Sequence, residues 1–453
     1  MEHTFFMSNR IESLKKIMTV KAELSQNIIK YSKKGLIKTM WRLYREEMKR
    51  ILRSRSTLLF LAAALGLSVF MAWVPVTFER YTYEENGQEI TIEGQEALAL
   101  NKAMEAPSAG EVTPEKLAEG LSYYHKNLNI YGDFYAEDFP LNLKIQEIYP
   151  WRPLLLKLHE AMADPVSGLA PEYTQITEAD ALAFYDRCQS HIADLMHLEQ
   201  RDNPAAQQTA IRMYEKVKGP FYYYPGYGSN MAEYEGMYLF MLMFLCVMIT
   251  APLFCCEYQT GADDILRSTR HGRRRLALVK ILSALTIGVA AFIPCMTIFQ
   301  IISNSLFGWE CRKTSIQILF SVVSLLPLNV GELQSFVILA GFITMLSSVC
   351  FVLFLSSACR NTTIATGLTI ASAILPTLFY MMIGGNLGSY LRVLLPSGGL
   401  GGSNAFLYAL IDFEFLKIGP LSIWVPWLIL AVPLLEIPLF LWLTVRTYCK
   451  RSL

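Results

Sequence analysis

Residues 256–280 read CEYQTGADDILRSTRHGRRRLALVK. Five arginines stand between Arg267 and Arg275, and long apolar runs flank the stretch on both sides. Basic residues beside membrane-crossing segments stay on the cytoplasmic side. The stretch therefore reads as an inward-facing loop between two spans. The whole chain agrees: of 453 residues, 53% are hydrophobic and only 17% are charged, whereas a soluble domain carries nearer a quarter charged residues. The expected fold class is an all-α polytopic membrane protein. It has six transmembrane helices and a large, mainly helical extracytoplasmic domain between spans one and two.

Working outward, span two is expected over Met237–Cys256 and span three from Lys280 to Ser303. Residues 257–279 form the loop between them. Upstream, residues 77–236 invert the charge. Acids outnumber bases by about two to one there, which suits a translocated segment. Thr177 with Asp180 three residues on is a helix start signal. Phe221, Tyr222, Tyr223, Tyr224 and Tyr227 precede span two as an aromatic belt.

Span one is expected over Thr57–Val76, a run without charge long enough to cross the hydrocarbon core. Arg50, Arg53 and Arg55 before it keep residues 1–56 inside. No cleavable signal peptide is expected, because the first long apolar run comes late. Over Leu36–Leu52 a helical stripe of Ile37, Trp41, Tyr44, Met48 and Ile51 opposes Lys38, Arg42, Arg45, Glu46, Lys49 and Arg50. This predicts an interfacial helix, with Trp41 and Tyr44 at headgroup depth. Arg42, Glu46 and Arg50 are spaced for pairing along it, and Glu46-Glu47 reads as a solvated face.

Downstream, residues 280–445 hold spans three to six with their outer loops. Ile316–Leu328 is apolar but too short to cross and is expected to be interfacial or re-entrant. Spans four, five and six are expected over Phe336–Ala358, Ile364–Ile383 and Leu421–Val445. The Gly-rich segment Gly384–Gly419 lies outside, and the basic tail 446–453 lies inside. Both termini are then cytoplasmic, in a multi-pass plasma-membrane protein bathed by the lipid bilayer. Net charge is +1, and nucleic acid is not an expected partner.

Catalytic motifs are missing. There is no G-x-x-x-x-G-K-[ST] and no H-E-x-x-H, and His159-Glu160 lacks the second histidine of a zincin. Nine cysteines lie scattered without a C-x-x-C pair, and six histidines show no ligand spacing. No metal site and no enzyme are expected. One acid sits deep in a span: Glu436, between Pro433 and Pro438. Intramembrane acids are costly and often functional. A protonated or hydrogen-bonded carboxyl is favoured over a proton relay, because no partner is visible.

The opening stretch resembles the loop between spans two and three in permease subunits of type-2 ABC exporters. That loop runs E-x-x-x-G-x-x-x-x-L-L-x-(S/T)-P-x-x-R-x-x-x-x-x-x-K. Glu257, Gly261, Leu266, Thr269, Arg273 and Lys280 match it, while Arg267 and Arg270 replace the second Leu and the Pro. Ser357-Ala-Cys-Arg360-Asn361 with Ala365, Pro376 and Pro396 also resemble the family, as does the helix before span one. The resemblance implies a permease without hydrolytic activity. It implies a partner ABC ATPase that binds ATP and Mg, and assembly as a homodimer or paired permease. ATPase coupling would fall to Glu257, Gly261, Ile265, Leu266, Arg267, Arg270, Arg273 and Lys280. A short helix between Thr260 and Leu266 would offer Ile265 and Leu266 as its docking edge, with Asp263 and Asp264 in its first turn. The competing reading is a membrane sensor whose outer domain binds a peptide or cell-wall ligand and signals through the same loop.

Overall fold

The computed structural model describes residues 40–268, 273–401, 405–419 and 421–450. Among the described residues six helices are long and apolar enough to cross a membrane. Helix α1 covers residues 40–52 and leads into α2 (Arg55–Trp73), span one. Residues 36–39 of the expected interfacial helix lie outside the described residues. An inserted domain follows. After it come α9 (Ser229–Thr250), α12 (Arg274–Phe307), α13 (Val330–Ala358), α14 (Thr362–Ile383) and α17 (Val425–Lys450), spans two to six. Spans two, three and four make up the buried centre, whereas one, five and six expose apolar flanks such as Phe70, Met382 and Leu435. Close approach at the centre needs small residues. A Cβ on Gly341 would stand 2.8 Å from the Leu239 side chain.

The inserted domain contains helices α3 (Gln95–Met104), α4 (Pro114–Tyr131), α5 (Arg152–Ala161), α6 (Glu178–Leu182), α7 (Phe184–Glu199) and α8 (Pro204–Tyr214). Thr177 and Asp180 close a capping box at the start of α6. Its core joins Leu117 and Leu121 of α4, Leu154 and Leu158 of α5, and Phe184, Ile192 and Met196 of α7. Two antiparallel pairs accompany the helices. β1 (Arg80–Glu85) turns into β2 (Gln88–Glu93) through Asn86-Gly87, both at positive φ, as a two-residue hairpin requires. β3 (Gly110–Val112) pairs with β4 (Phe221–Tyr223) and draws the domain's two ends together.

The apolar run 316–328, expected not to cross, forms no helix of membrane-crossing length. It makes a single turn, Ile316–Leu319, and then packs beneath the inserted domain with Val322 and Leu325 buried. Tyr214 Oη donates to the Val322 carbonyl (2.7 Å), Lys157 Nζ donates to the Phe320 carbonyl (2.6 Å), and Glu160 Oε1 accepts from Ser321 Oγ (2.6 Å) and Val322 N (3.1 Å). Val322, Val323 and Leu325 bury their side chains against the rest of the protein.

The segment that does fold back among the spans is Pro396–Gly399. It follows helix α15 (Gly385–Leu394) and precedes α16 (Ala405–Ile411). Ser348 Oγ of span four donates to the Pro396 carbonyl (3.1 Å), and Ser397 Oγ donates to the Ser372 carbonyl of span five (2.7 Å). Only glycine fits this approach, since a Cβ on Gly399 would lie 2.6 Å from Ile429 of span six. A third hairpin, β5 (Phe415–Ile418) with β6 (Leu421–Trp424), feeds directly into span six.

Candidate functional site

Helix α9 stops at Thr250, and Pro252 lies in the turn that follows. Helices α10 (Cys255–Thr260) and α11 (Ala262–Ser268) come next. At such a break, amides lose their helical acceptors and need others. Ser356 Oγ of span four supplies one, accepting from Phe254 N (3.1 Å) and Cys255 N (3.3 Å). Gln259 Oε1 accepts from Thr362 Oγ1 (2.6 Å) at the start of span five, and Phe254 and Tyr258 pack on Tyr448 of span six. Helix α10 is thus fastened to spans four, five and six.

Four charges converge beside it. Lys280 Nζ donates to Glu257 Oε1 (2.6 Å) and to the Leu253 carbonyl (3.1 Å), and lies 3.4 Å from Glu47 Oε1. Arg50 Nη1 donates to the same Glu257 oxygen (2.7 Å), while its Nη2 lies 2.7 Å from Glu47 Oε2 in ionic contact. Lys280 is wholly inaccessible, and Glu257 is nearly so. Buried charges persist only when paired. Burial opposes the Arg50 charge, but Glu47 and Glu257 outweigh it and hold its pKa above the ordinary arginine value. The cluster ties α1 to α10 and to span three. At 34 residues span three is about 51 Å long, well beyond the hydrocarbon core of roughly 30 Å. Its N-terminal turns, Lys280 included, therefore project toward the loop.

The expected coupling residues divide into two groups. Glu257 and Lys280 lie inside the cluster, while Gly261, Ile265 and Arg273 are exposed and Leu266 is half-buried. Gly261 takes a left-handed conformation (φ 70°) that separates α10 from α11. Ile265 is 72% exposed on α11. The backbone of Arg267 belongs to α11, and Arg270 lies outside the described residues. Trp41 stacks on Tyr44 with ring centroids 5.3 Å apart, and Trp41 remains exposed.

Two side chains stand differently from expectation. Glu47 is not on a solvated face, because it turns toward Lys280. Glu46 pairs with Lys49 (3.0 Å) rather than with Arg42 and Arg50. Glu436 hydrogen-bonds across the bundle, in keeping with the reading favoured for it: Ser347 Oγ of span four donates to its Oε2 (2.6 Å). Sequence reasoning also missed Glu235, which lies inside span two because the helix begins eight residues before Met237. Gln300 Nε2 donates to it (2.8 Å), and Asn304 Nδ2 donates to Gln300 Oε1 (2.9 Å). Polar residues at a four-residue spacing in an otherwise apolar span were the available signal. Among the described residues no cluster of His, Cys, Asp and Glu is arranged to hold a metal ion.

No curated protein and no solved structure matches the chain. The family described as ABC-2 family transporter protein matches residues 41–410, which run from Trp41 in α1 through the inserted domain and five spans to α16. The protein is a multi-pass membrane protein of the ABC-2 transporter family, built as a permease subunit.

Proposed function

We propose that this chain is the membrane-spanning subunit of an ATP-driven exporter, and that α11 seats in a groove on a separate ABC ATPase. ATP and Mg are held by that partner, and closure of the ATPases pushes on α11. Two permease chains pair above two ATPases, in the plasma membrane, with both termini and the 257–279 loop in the cytoplasm. The basic loop, the basic segment before span one and the acidic inserted domain support this orientation. The cluster of Glu47, Arg50, Glu257 and Lys280 carries the reading. It joins the loop to α1 and span three, so a push on α11 is transmitted rather than absorbed.

Exposed Ile265 beside Leu266 supplies an apolar edge for docking. Arg273, Arg274 and Arg275 crowd the start of span three, where cations oppose the helix dipole, so acids on the ATPase would be favoured neighbours. The test is co-purification of the full chain with the ABC ATPase encoded beside it, together with ATP-dependent transport in proteoliposomes. Ile265→Asp should abolish co-purification and Gly261→Pro should abolish transport. Normal transport in both variants would overturn the reading. A kinase or regulator captured in place of the ATPase would instead favour the sensor reading.

A further inference from the structure

Spans two, three and four close on a polar cluster at their ends opposite the 257–279 loop. Glu235 lies in the second turn of span two and is only 2% exposed. Gln300 Nε2 of span three donates to its Oε1 (2.8 Å). Asn304 Nδ2 donates to Gln300 Oε1 (2.9 Å) and to the Gln300 carbonyl (2.9 Å), so its amide nitrogen is committed within span three. Asn304 Oδ1 is left for span four and accepts from Gln334 Nε2 (3.4 Å). That fixes Gln334: its nitrogen is on Asn304, so its Oε1 turns the other way. There Gln334 Oε1 is buried without a hydrogen-bond partner among the described residues. Tyr227, just before span two, brings its hydroxyl up to Gln334 and Glu235 but is in hydrogen-bond geometry with neither.

The hydrogens of this chain fall one short. Gln300, Asn304 and Gln334 each pass one along, and the two ends, Gln334 Oε1 and the Glu235 carboxylate, are both acceptors. Tyr227 stands between them with a single hydrogen and can serve only one. Glu235 also has no cation in contact. Arg312, in the turn Trp309–Lys313, faces the cluster without forming an ion pair to Glu235, and its own Nε is buried without a partner among the described residues. A buried carboxylate persists when it is paired or holds a metal, and an orphaned buried oxygen is costly. What the cluster needs is one positive centre bordered by two neutral oxygens and one anionic group. Calcium takes about six to eight oxygens, several of them from carboxylates. Among the described residues no cluster of His, Cys, Asp and Glu of that kind is present, so a single charge fits and a double one does not.

We propose that Glu235, Tyr227 and Gln334 bind one small monovalent cation, sodium or a proton, between the ends of spans two, three and four. Sodium would lie among the three oxygens. A proton would sit on Glu235 and be donated to Tyr227 Oη, which frees the Tyr227 hydrogen for Gln334 Oε1 and closes the ring. Either way the cation ties three spans together at this end. At the other end of span three the Lys280 ammonium meets the same need for Glu257. The site does not depend on the ATPase partner.

The test is thermal unfolding of the purified full chain in detergent at fixed neutral pH, with sodium chloride exchanged for choline chloride at constant ionic strength. Sodium binding should raise the melting temperature saturably, by at least about 2 °C. Glu235→Gln, Gln334→Leu and Tyr227→Phe, which removes only a hydroxyl, should each lose that rise. Glu310→Gln, exposed in the turn Trp309–Lys313, should keep it. A single melting transition in choline shows that each variant folds. Infrared spectroscopy reads the other source. Melting indifferent to sodium, with a carboxylic-acid band that Glu235→Gln removes and Tyr227→Phe shifts, identifies the cation as a proton. Indifference to sodium without such a band would overturn the proposal, as would a sodium response that all three variants retain.

Discussion

Glu257 has two cationic partners on one oxygen, whereas Lys280 depends on Glu257 at 2.6 Å and on Glu47 at 3.4 Å. Their removal should therefore be unequal. Glu257→Ala leaves a wholly buried ammonium with only the longer Glu47 contact and the Leu253 carbonyl, and losing one partner of a buried pair costs about 3–5 kcal/mol. Lys280→Met leaves Glu257 with Arg50 and should cost distinctly less. Thermal unfolding in detergent reads both, and equal melting of the two variants would contradict the pairing hierarchy. A Glu257→Leu/Lys280→Met double variant should regain stability without regaining ATP-dependent transport. At His191 the unfolded chain takes up its proton at a higher pH than the folded one, because burial depresses the folded value. Its contribution to stability is therefore complete above about pH 6.5 and is lost as pH falls below that. His191→Leu should flatten the fall in melting temperature between about pH 7 and pH 5 relative to wild type. An unchanged slope would remove His191 from the account.

Among the elements, the bend between α10 and α11 rests on one glycine. A Cβ at Gly261 would meet no atom within 4 Å, so its requirement is conformational and not steric. Gly261→Val should cost about 1–2 kcal/mol through the left-handed backbone alone, whereas Gly261→Asn tolerates that geometry. Transport should then rank wild type, Asn, Val. A normal Val variant would show that the bend does not matter to coupling. The β1–β2 hairpin illustrates a legible signal left unread. Asn86-Gly87 between alternating residues is strong local evidence for a two-residue turn, yet the expectation for this region went no further than a mainly helical domain. The β3–β4 pair is a different case. Its strands, Gly110 to Val112 and Phe221 to Tyr223, are three residues long, and even the nearest pair, Val112 with Phe221, is 109 positions apart, so no local pattern announces it.

Across the whole molecule, the inserted domain grips two segments that lead into spans. Glu160 holds the 316–328 run ahead of span four. Gln200 Nε2 donates to the Phe413 carbonyl (2.9 Å), and Asn203 Nδ2 donates to Ser422 Oγ (3.0 Å) in the hairpin ahead of span six. Domain and spans should therefore respond together. Glu160→Ala removes the acceptor of the Val322 amide, a charged hydrogen bond worth about 1.5–3 kcal/mol. Hydrogen exchange at Val322 should accelerate at least about tenfold while spans two and three stay protected. Unchanged exchange at Val322 would mean that the apolar run holds its place through packing alone.

What the sequence determined by itself was the one-dimensional part. Stretches of some twenty apolar residues can satisfy their backbone in lipid only as helices, and arginines at their ends give the proposed orientation. Together with the Glu257–Lys280 spacing, these were enough for the fold class and the family. Tertiary structure decided which polar groups meet. Arg50 and Glu257 are 207 positions apart, and Ser347 and Glu436 are 89 apart. Glu47 looked solvated and Glu436 looked partnerless because helix periodicity reports which face a residue occupies, not what stands opposite it. The same holds for 316–328, whose apolar side chains are equally content against lipid or protein, so that only the presence of α5 and α8 above them settles which they bury against.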